Sequence, residues 1–212
     1  MEQVRMVGHS RREREIRTEV LRKGLHVLIA LTPTLAQANF VVTVVLLSSG
    51  LVVYCLAESL RLQGREVAVI SLVTRLASRD RDRNKAVLGP VTLGLGALVC
   101  LMLYPQPASA VGIYALAFGD GLSSLAGKLF GRVKLPLTGG KTLEGSLAAF
   151  IAVFVVVLAL TRQPGLAFAT ALVATVLEAL PIKDLDNLLI PLGTGMFFLW
   201  VQPLFPTLHQ AG

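Results

Sequence analysis

Charge is scarce in this chain. Of its 212 residues only 16% are Asp, Glu, Lys or Arg, against ~25% in an ordinary soluble domain. Aromatic residues make up 6%, there are two cysteines, and 13 acidic residues face 20 basic ones. So little polar material excludes a water-soluble globule of this size. A hydrophobic share of 54% excludes a disordered chain, and two cysteines exclude a disulfide scaffold. The net charge of +7 does not indicate nucleic acid, because no aromatic residues interleave with the basic ones. What remains is a polytopic membrane protein whose cations need a location.

A bilayer core ~30 Å thick is crossed by a helix of ~20 mostly apolar residues. Seven stretches fit: Gly24–Ala38, Phe40–Ala57, Ala86–Tyr104, Ala108–Leu129, Gly145–Thr161, Pro164–Leu180 and Leu185–Leu204. The first is short and holds Pro33, and no charge separates Lys23 from Glu58. Residues 24–57 therefore read as two spans or one re-entrant hairpin; 34 residues are too many for a single crossing, which favours two spans. Seven Lys/Arg lie in 1–23, seven in 58–85, four in 128–144, and Lys183 sits between the last two stretches; Arg162 falls on the other side. The positive-inside rule makes the basic face cytoplasmic. The expected fold is all-α and polytopic, with about seven transmembrane helices and a cytoplasmic N-terminus. Residues 1–23 form a basic cytoplasmic segment, 24–204 one transmembrane domain with cytoplasmic loops at 58–85, 128–144 and 178–186, and 205–212 a tail. The setting is a cell (inner) membrane.

Three features carry less. Leu25–Leu31 followed by Leu35-Ala36-Gln37-Ala38 mimics a signal peptide, but a charged leader of 23 residues is long for one. Cys55 and Cys100 fall at opposite depths, so a disulfide is not expected. Val67, Ile70, Val73 and Leu76 recur at helical spacing among Arg61, Arg65, Arg75 and Arg79. That pattern suits an amphipathic helix on the anionic inner leaflet, or an ordinary cytoplasmic helix packed on its neighbours.

Charged residues inside spans are costly and mark function. Asp120 stands between Gly119 and Gly121, eight residues before Lys128, or ~12 Å along a helix. The flanking glycines are expected to let the helix break and open backbone groups to a cavity. The loop that follows gathers Lys128, Arg132, Lys134 and Lys141 with Thr138, Gly139, Gly140 and Thr142 at the start of the fifth stretch. Glycines admit an anion to the backbone, a helix N-terminus offers free N–H groups, and lysines add point charges, as a polyphosphate site requires. It is not a Walker A loop, which would need glycine where Leu135 stands. A third cluster, Glu178, Asp184, Asp186 and Asn187, is a hard-oxygen set suited to Mg2+. A fourth, Glu19, Arg22, Lys23 and His26, shares one helical face, with Glu58 and Arg61 at the same depth. His26 reads as a base, a phosphate ligand, or a buried structural histidine. All four clusters lie on one side, which points to phosphoryl or nucleotidyl transfer between a cytoplasmic nucleotide and a lipid.

Arg22-Lys23-x-x-His26, Gly119-Asp120-Gly121 through Gly127-Lys128 and Gly131, Gly139-Gly140-Lys141-Thr142-x-Glu144-Gly145-Ser146, and Glu178 with Asp186-Asn187-Leu188-x-Ile190-Pro191 resemble the polyprenol/dolichol kinase and phytol kinase family. That group includes CTP-dependent diacylglycerol kinases, and the resemblance covers roughly residues 15–200. It implies transfer of the γ-phosphate of CTP to a lipid alcohol with Mg2+. Asp120, Asp186 and Asn187, with Asp184 beside them, would hold metal or orient the nucleophile. Lys128, Lys134 and Lys141, with the Thr138–Thr142 backbone, would hold the triphosphate, joined by Arg22 and Lys23. Glu144 and Glu178 would be further metal ligands or a base. The phosphatidate cytidylyltransferases share the aspartate-led span and the K-T-x-E-G motif. Their later signature looks like P-G-H-G-G followed by D-R-x-D, whereas this chain has Asp184-x-Asp186-Asn187-Leu188, which favours the kinase branch. A homodimer is expected by analogy. The competing classes are a small ion or solute transporter, for which the outer halves of the spans lack charge, and a scaffold, which would leave the loop and the acidic cluster without a reason.

Overall fold

The computed structural model describes residues 20, 23–24, 26–64, 86–182 and 185–205. Residues 61–64 of the expected amphipathic stretch are described; the rest of it, together with Glu19, Arg22 and Asp184, lies outside that range.

Each of the seven expected stretches contains a helix: α1 His26–Ala38, α2 Phe40–Leu62, α3 Gly89–Leu103, α4 Ala108–Phe130, α5 Leu143–Thr161, α6 Pro164–Ala179 and α7 Asp186–Leu204. By length and composition four of them, α2, α4, α5 and α7, can cross a membrane, while α1, α3 and α6 are apolar but shorter. Among the described residues the extended pairing is one isolated bridge, Lys134 with Thr142.

Local chemistry sets the boundaries. Pro33 cannot donate an N–H, and the chain before it tightens into a turn, with the Ala30 and Leu31 amides bonded to the Val27 and Leu28 carbonyls. Asn39 adopts an extended conformation and its side chain accepts the Val42 N–H at 3.0 Å, so α1 ends and α2 begins at one capping residue. Thr142 caps α5 by accepting the Gly145 N–H at 3.2 Å, and Pro164 opens α6 at a position where no N–H is needed.

The packing is the inverse of a soluble protein's. Inside lie small side chains, such as Ala110, Ala115, Ala117, Ala167, Ala171 and Ala174, together with Val153, Ile190 and Phe198. Outside lie Val41, Val45, Leu46, Val52, Leu147, Ile151, Val155 and Trp200. Hydrocarbon is as apolar as leucine, so helices in a bilayer associate through small residues and interior polar groups and leave their large apolar groups to lipid. The structure is that of a membrane protein. Its central element is α4, which touches α1, α3, α5, α6 and α7.

One expectation is corrected. The glycines around Asp120 do not break α4. The chain passes through a π-helical segment, Ala115–Asp120, and continues as α-helix from Gly121. A π segment widens the turn without severing it, and such bulges concentrate at functional positions.

Candidate active site

At the end of the bundle shared by Lys23, the C-terminus of α4 and the N-termini of α5 and α7 lies a cavity of about 410 Å³. Asp120, the last residue of the π segment, is 4% exposed. Its carboxylate is ion-paired with the buried Lys23 ammonium, and His26 Nδ1 stands 3.2 Å from the same oxygen. One α-helical turn beyond Asp120, Ser123 and Ser124 face the cavity, followed by Gly127 and Lys128.

The opposite wall is a hairpin. The Leu135 amide bonds the Lys141 carbonyl and the Leu143 amide bonds the Val133 carbonyl, both at 2.9 Å. Its return is made by Gly139 and Gly140 at φ +70° and +103°. That left-handed backbone is open to glycine and strained for most side chains, which explains the pair at this point. The turn brings Thr138, both glycines, Lys141 and Thr142 onto the cavity. Lys141 Nζ lies 2.6 Å from Glu178 Oε1 and also bonds the Glu178 carbonyl. Ser123 Oγ donates to the same Oε1 at 2.7 Å. Glu178, at the end of α6, is 2% exposed, and its Oε2 has no hydrogen-bond partner among the described residues. Asp186 lines the same cavity from the start of α7, together with Asp120, Lys141 and Lys23.

Ten of the expected residues therefore converge: Lys23, Asp120, Lys128, Thr138, Gly139, Gly140, Lys141, Thr142, Glu178 and Asp186 line one cavity, and His26 backs Asp120. Three others do not join them. Glu144 turns away and accepts the backbone amide of Arg132 at 2.9 Å and that of Val133 at 3.3 Å; a carboxylate in the first turn of α5 finds the free N–H groups of the adjoining hairpin. Lys134 sits exposed on the hairpin and is not part of the cavity wall. Asn187 points at α3, donating to Thr92 Oγ1 at 2.9 Å and towards the Gly89 carbonyl at 3.4 Å. Ser123 and Ser124 were not anticipated, although their places three and four residues after Asp120 put them on its helical face.

The cavity suits a divalent ion held together with phosphates. Among the described residues no three His, Cys, Asp or Glu side chains close on one point. Mg2+ does not demand that, since it is commonly held by one or two carboxylates plus phosphate oxygens and water. Asp120, Asp186 and the buried Oε2 of Glu178, which has no hydrogen-bond partner among the described residues, are hard-oxygen donors lining the cavity, and a buried oxygen without a partner is costly unless a ligand completes it.

These features define a membrane protein with a cavity lined by charged residues at one end of its helices. The chain is 26% identical to phytol kinase 1, chloroplastic, of Arabidopsis thaliana over 206 residues, covering 84% of this chain and 65% of that protein. It is 32% identical to the dolichol kinase of Saccharomyces cerevisiae over 169 residues, 73% of this chain and 31% of that protein. It is 33% identical to the phytol kinase of Synechocystis over 107 residues, 44% of this chain and 46% of that protein. The chain spans about half to two thirds of the length of the plant phytol kinases it matches. No protein-family model and no solved structure matches it. The similarities support the polyprenol, dolichol and phytol kinase family that the motifs resemble.

Proposed function

We propose that the chain is a Mg2+-dependent kinase of membrane lipid alcohols, moving the γ-phosphate of a nucleoside triphosphate to an isoprenoid alcohol such as phytol, dolichol or a polyprenol, or to diacylglycerol. CTP is taken as the donor from the family resemblance. The observation that carries the reading is the pairing of Lys23 with Asp120 and of Lys141 with Glu178 in one cavity, under a glycine turn. Phosphoryl transfer is largely positioning and neutralisation of charge. Lys128 and Lys141 supply positive charge for the phosphates, and the Gly139–Gly140 backbone lets them approach closely. Asp120 and Asp186 would hold Mg2+, which when bound neutralises phosphate charge. The acceptor oxygen bonds to the γ-phosphorus, the bond to the bridging oxygen breaks, and the nucleoside diphosphate leaves. The hydroxyl proton passes to a cavity carboxylate, for which the unpartnered Oε2 of Glu178 is placed. The acceptor's hydrocarbon chain stays among the lipid-facing helices throughout.

Purified protein with Mg2+, lipid acceptor and CTP labelled at either the α or the γ phosphorus tests this. Label from the γ position is expected in a lipid monophosphate. Label from the α position, with release of pyrophosphate, would mean a cytidylyltransferase, and no transfer to prenols, phytol, diacylglycerol or phosphatidate would remove the enzyme reading.

We read the seven helices as seven spans in an inner membrane, with the N-terminus and the cavity cytoplasmic, supported by the distribution of Lys and Arg. A Thr138→Cys variant in intact cells is then expected to resist an impermeant maleimide and to react after permeabilisation. Labelling in intact cells would reverse the orientation.

A further inference from the structure

Asp186 and Asn187 are consecutive, and successive side chains on a helix diverge by ~100°. Asp186 faces the cavity, while the Asn187 amide reaches Thr92 Oγ1 at 2.9 Å. Thr92 is prepared to accept it. Its hydroxyl donates back into its own helix, to the Gly89 carbonyl at 3.1 Å and the Leu88 carbonyl at 3.2 Å, so a lone pair is turned towards α7. The backbone of Asn187 is committed to the same partner. Pro191, four residues on, has no N–H to return to the Asn187 carbonyl. That carbonyl instead rests against Gly96, where an added methyl group would overlap it. Residues 89, 92 and 96 form one face of α3, and the first turn of α7 is seated on it through both side chain and backbone.

The seat is itself fixed from the other side. Glu58 on α2 is buried, accepts the Val87 N–H at 2.7 Å, and is held by Arg61 Nε and Nη2, each at 2.8 Å. Tyr54 donates to the Val87 carbonyl at 3.1 Å. The start of α3 is thus tied to α2 two residues before the helix begins. At the other end of the chain of contacts, the backbone N–H of Asn187 donates to Asp186 Oδ1 at 3.0 Å.

We infer that Asn187 is a positioning residue, which by locking the first turn of α7 onto Thr92 and Gly96 of α3 holds the Asp186 carboxylate at the cavity. The inference rests on the reading of that cavity as the site of a divalent ion and nucleotide. It makes Asn187 act through Asp186 rather than touch the ion, and it makes Thr92, which lies outside the cavity wall, part of the same device. Two residues joined by one hydrogen bond lose the same interaction whichever of them is changed, and their effects do not add.

The test is binding of Mn·CTP to purified full-length protein in micelles, read by water-proton relaxation enhancement, with Asn187→Leu, Thr92→Val and the double variant compared at a temperature where circular dichroism shows each folded. Each single variant is expected to weaken Mn·CTP by about 10- to 100-fold, the scale of disturbing a group that orients a metal ligand, and the double variant is expected to be no worse than the weaker single. Thr92→Val with wild-type affinity would overturn the inference, whether Asn187→Leu retains binding, loses it as a direct ligand would, or fails to fold. Fully additive losses would overturn it as well. If the wild-type protein binds no Mn·CTP, the reading of the cavity falls and the inference with it; if the wild type binds and Thr92→Val binds equally, the inference alone falls.

Discussion

Asp120→Asn is expected to lower turnover by at least ~100-fold, the scale of removing one preorganised charge contact from a reacting phosphate. The carboxylate is buried, ends the π segment, and is held by Lys23 and His26. A charge kept in that position without a catalytic task would be a poor investment of stability, because desolvating an ion pair offsets much of its attraction. The same burial means that the substitution leaves the Lys23 ammonium uncompensated, which typically costs ~3–5 kcal/mol. Stability and chemistry can be separated by a second change. Asp120→Asn with Lys23→Met removes both charges and is expected to recover much of the lost thermal stability in micelles, while phosphoryl transfer stays low. A folded Asp120→Asn protein with wild-type turnover would take Asp120 out of the reaction and leave it a structural anion.

The elements legible in the sequence were those governed by hydropathy and charge. Seven apolar stretches become seven helices, and the first of them ends at Ala38 and the second begins at Phe40, as the division at Asn39 requires. The lysines and carboxylates that converge were found because charge near a span has few structural excuses. What the sequence hid was direction. Asp186 and Asn187 are neighbours in an acidic cluster, yet one faces the cavity and the other α3, a difference set by helix phase and by the carbonyl that Pro191 leaves free. Glu144 belongs to the motif that carries the family resemblance, but its nearest unsatisfied donors are the Arg132 and Val133 amides of the hairpin. Lys134 sits in the same loop as Lys141, and the hairpin register sends only the second into the site. The π segment was illegible for a related reason. Glycines on both sides of Asp120 lower the cost of any deviation from α geometry, and packing on α5, α6 and α7 chooses which one.

The second large effect is expected at Lys141. Its ammonium is bound to Glu178 through one carboxylate oxygen and the backbone carbonyl, with Ser123 on the same oxygen and the other oxygen unpartnered. An ammonium is a mobile point charge on a flexible stem, and a triphosphate entering under the Gly139–Gly140 turn competes for it with more charge than one carboxylate. We expect an exchange of partners: Lys141 moves to phosphate, and Glu178 is released to accept a proton. The two residues then fail differently. Lys141→Ala removes a phosphate contact and is expected to lower kcat/KM for the donor by at least ~100-fold, with part of the loss in KM because the contact is made before the transition state. Glu178→Gln keeps the shape and the Ser123 contact but cannot take a proton. Its loss is expected in kcat, with donor KM near the wild-type value, as for an interaction used only in the transition state. Steady-state kinetics with CTP varied at fixed lipid measures both. Equal KM defects in the two variants would mean that Glu178 serves only to hold Lys141. An unchanged kcat/KM in Lys141→Ala would mean that the triphosphate does not reach this lysine, and the exchange would have nothing to drive it.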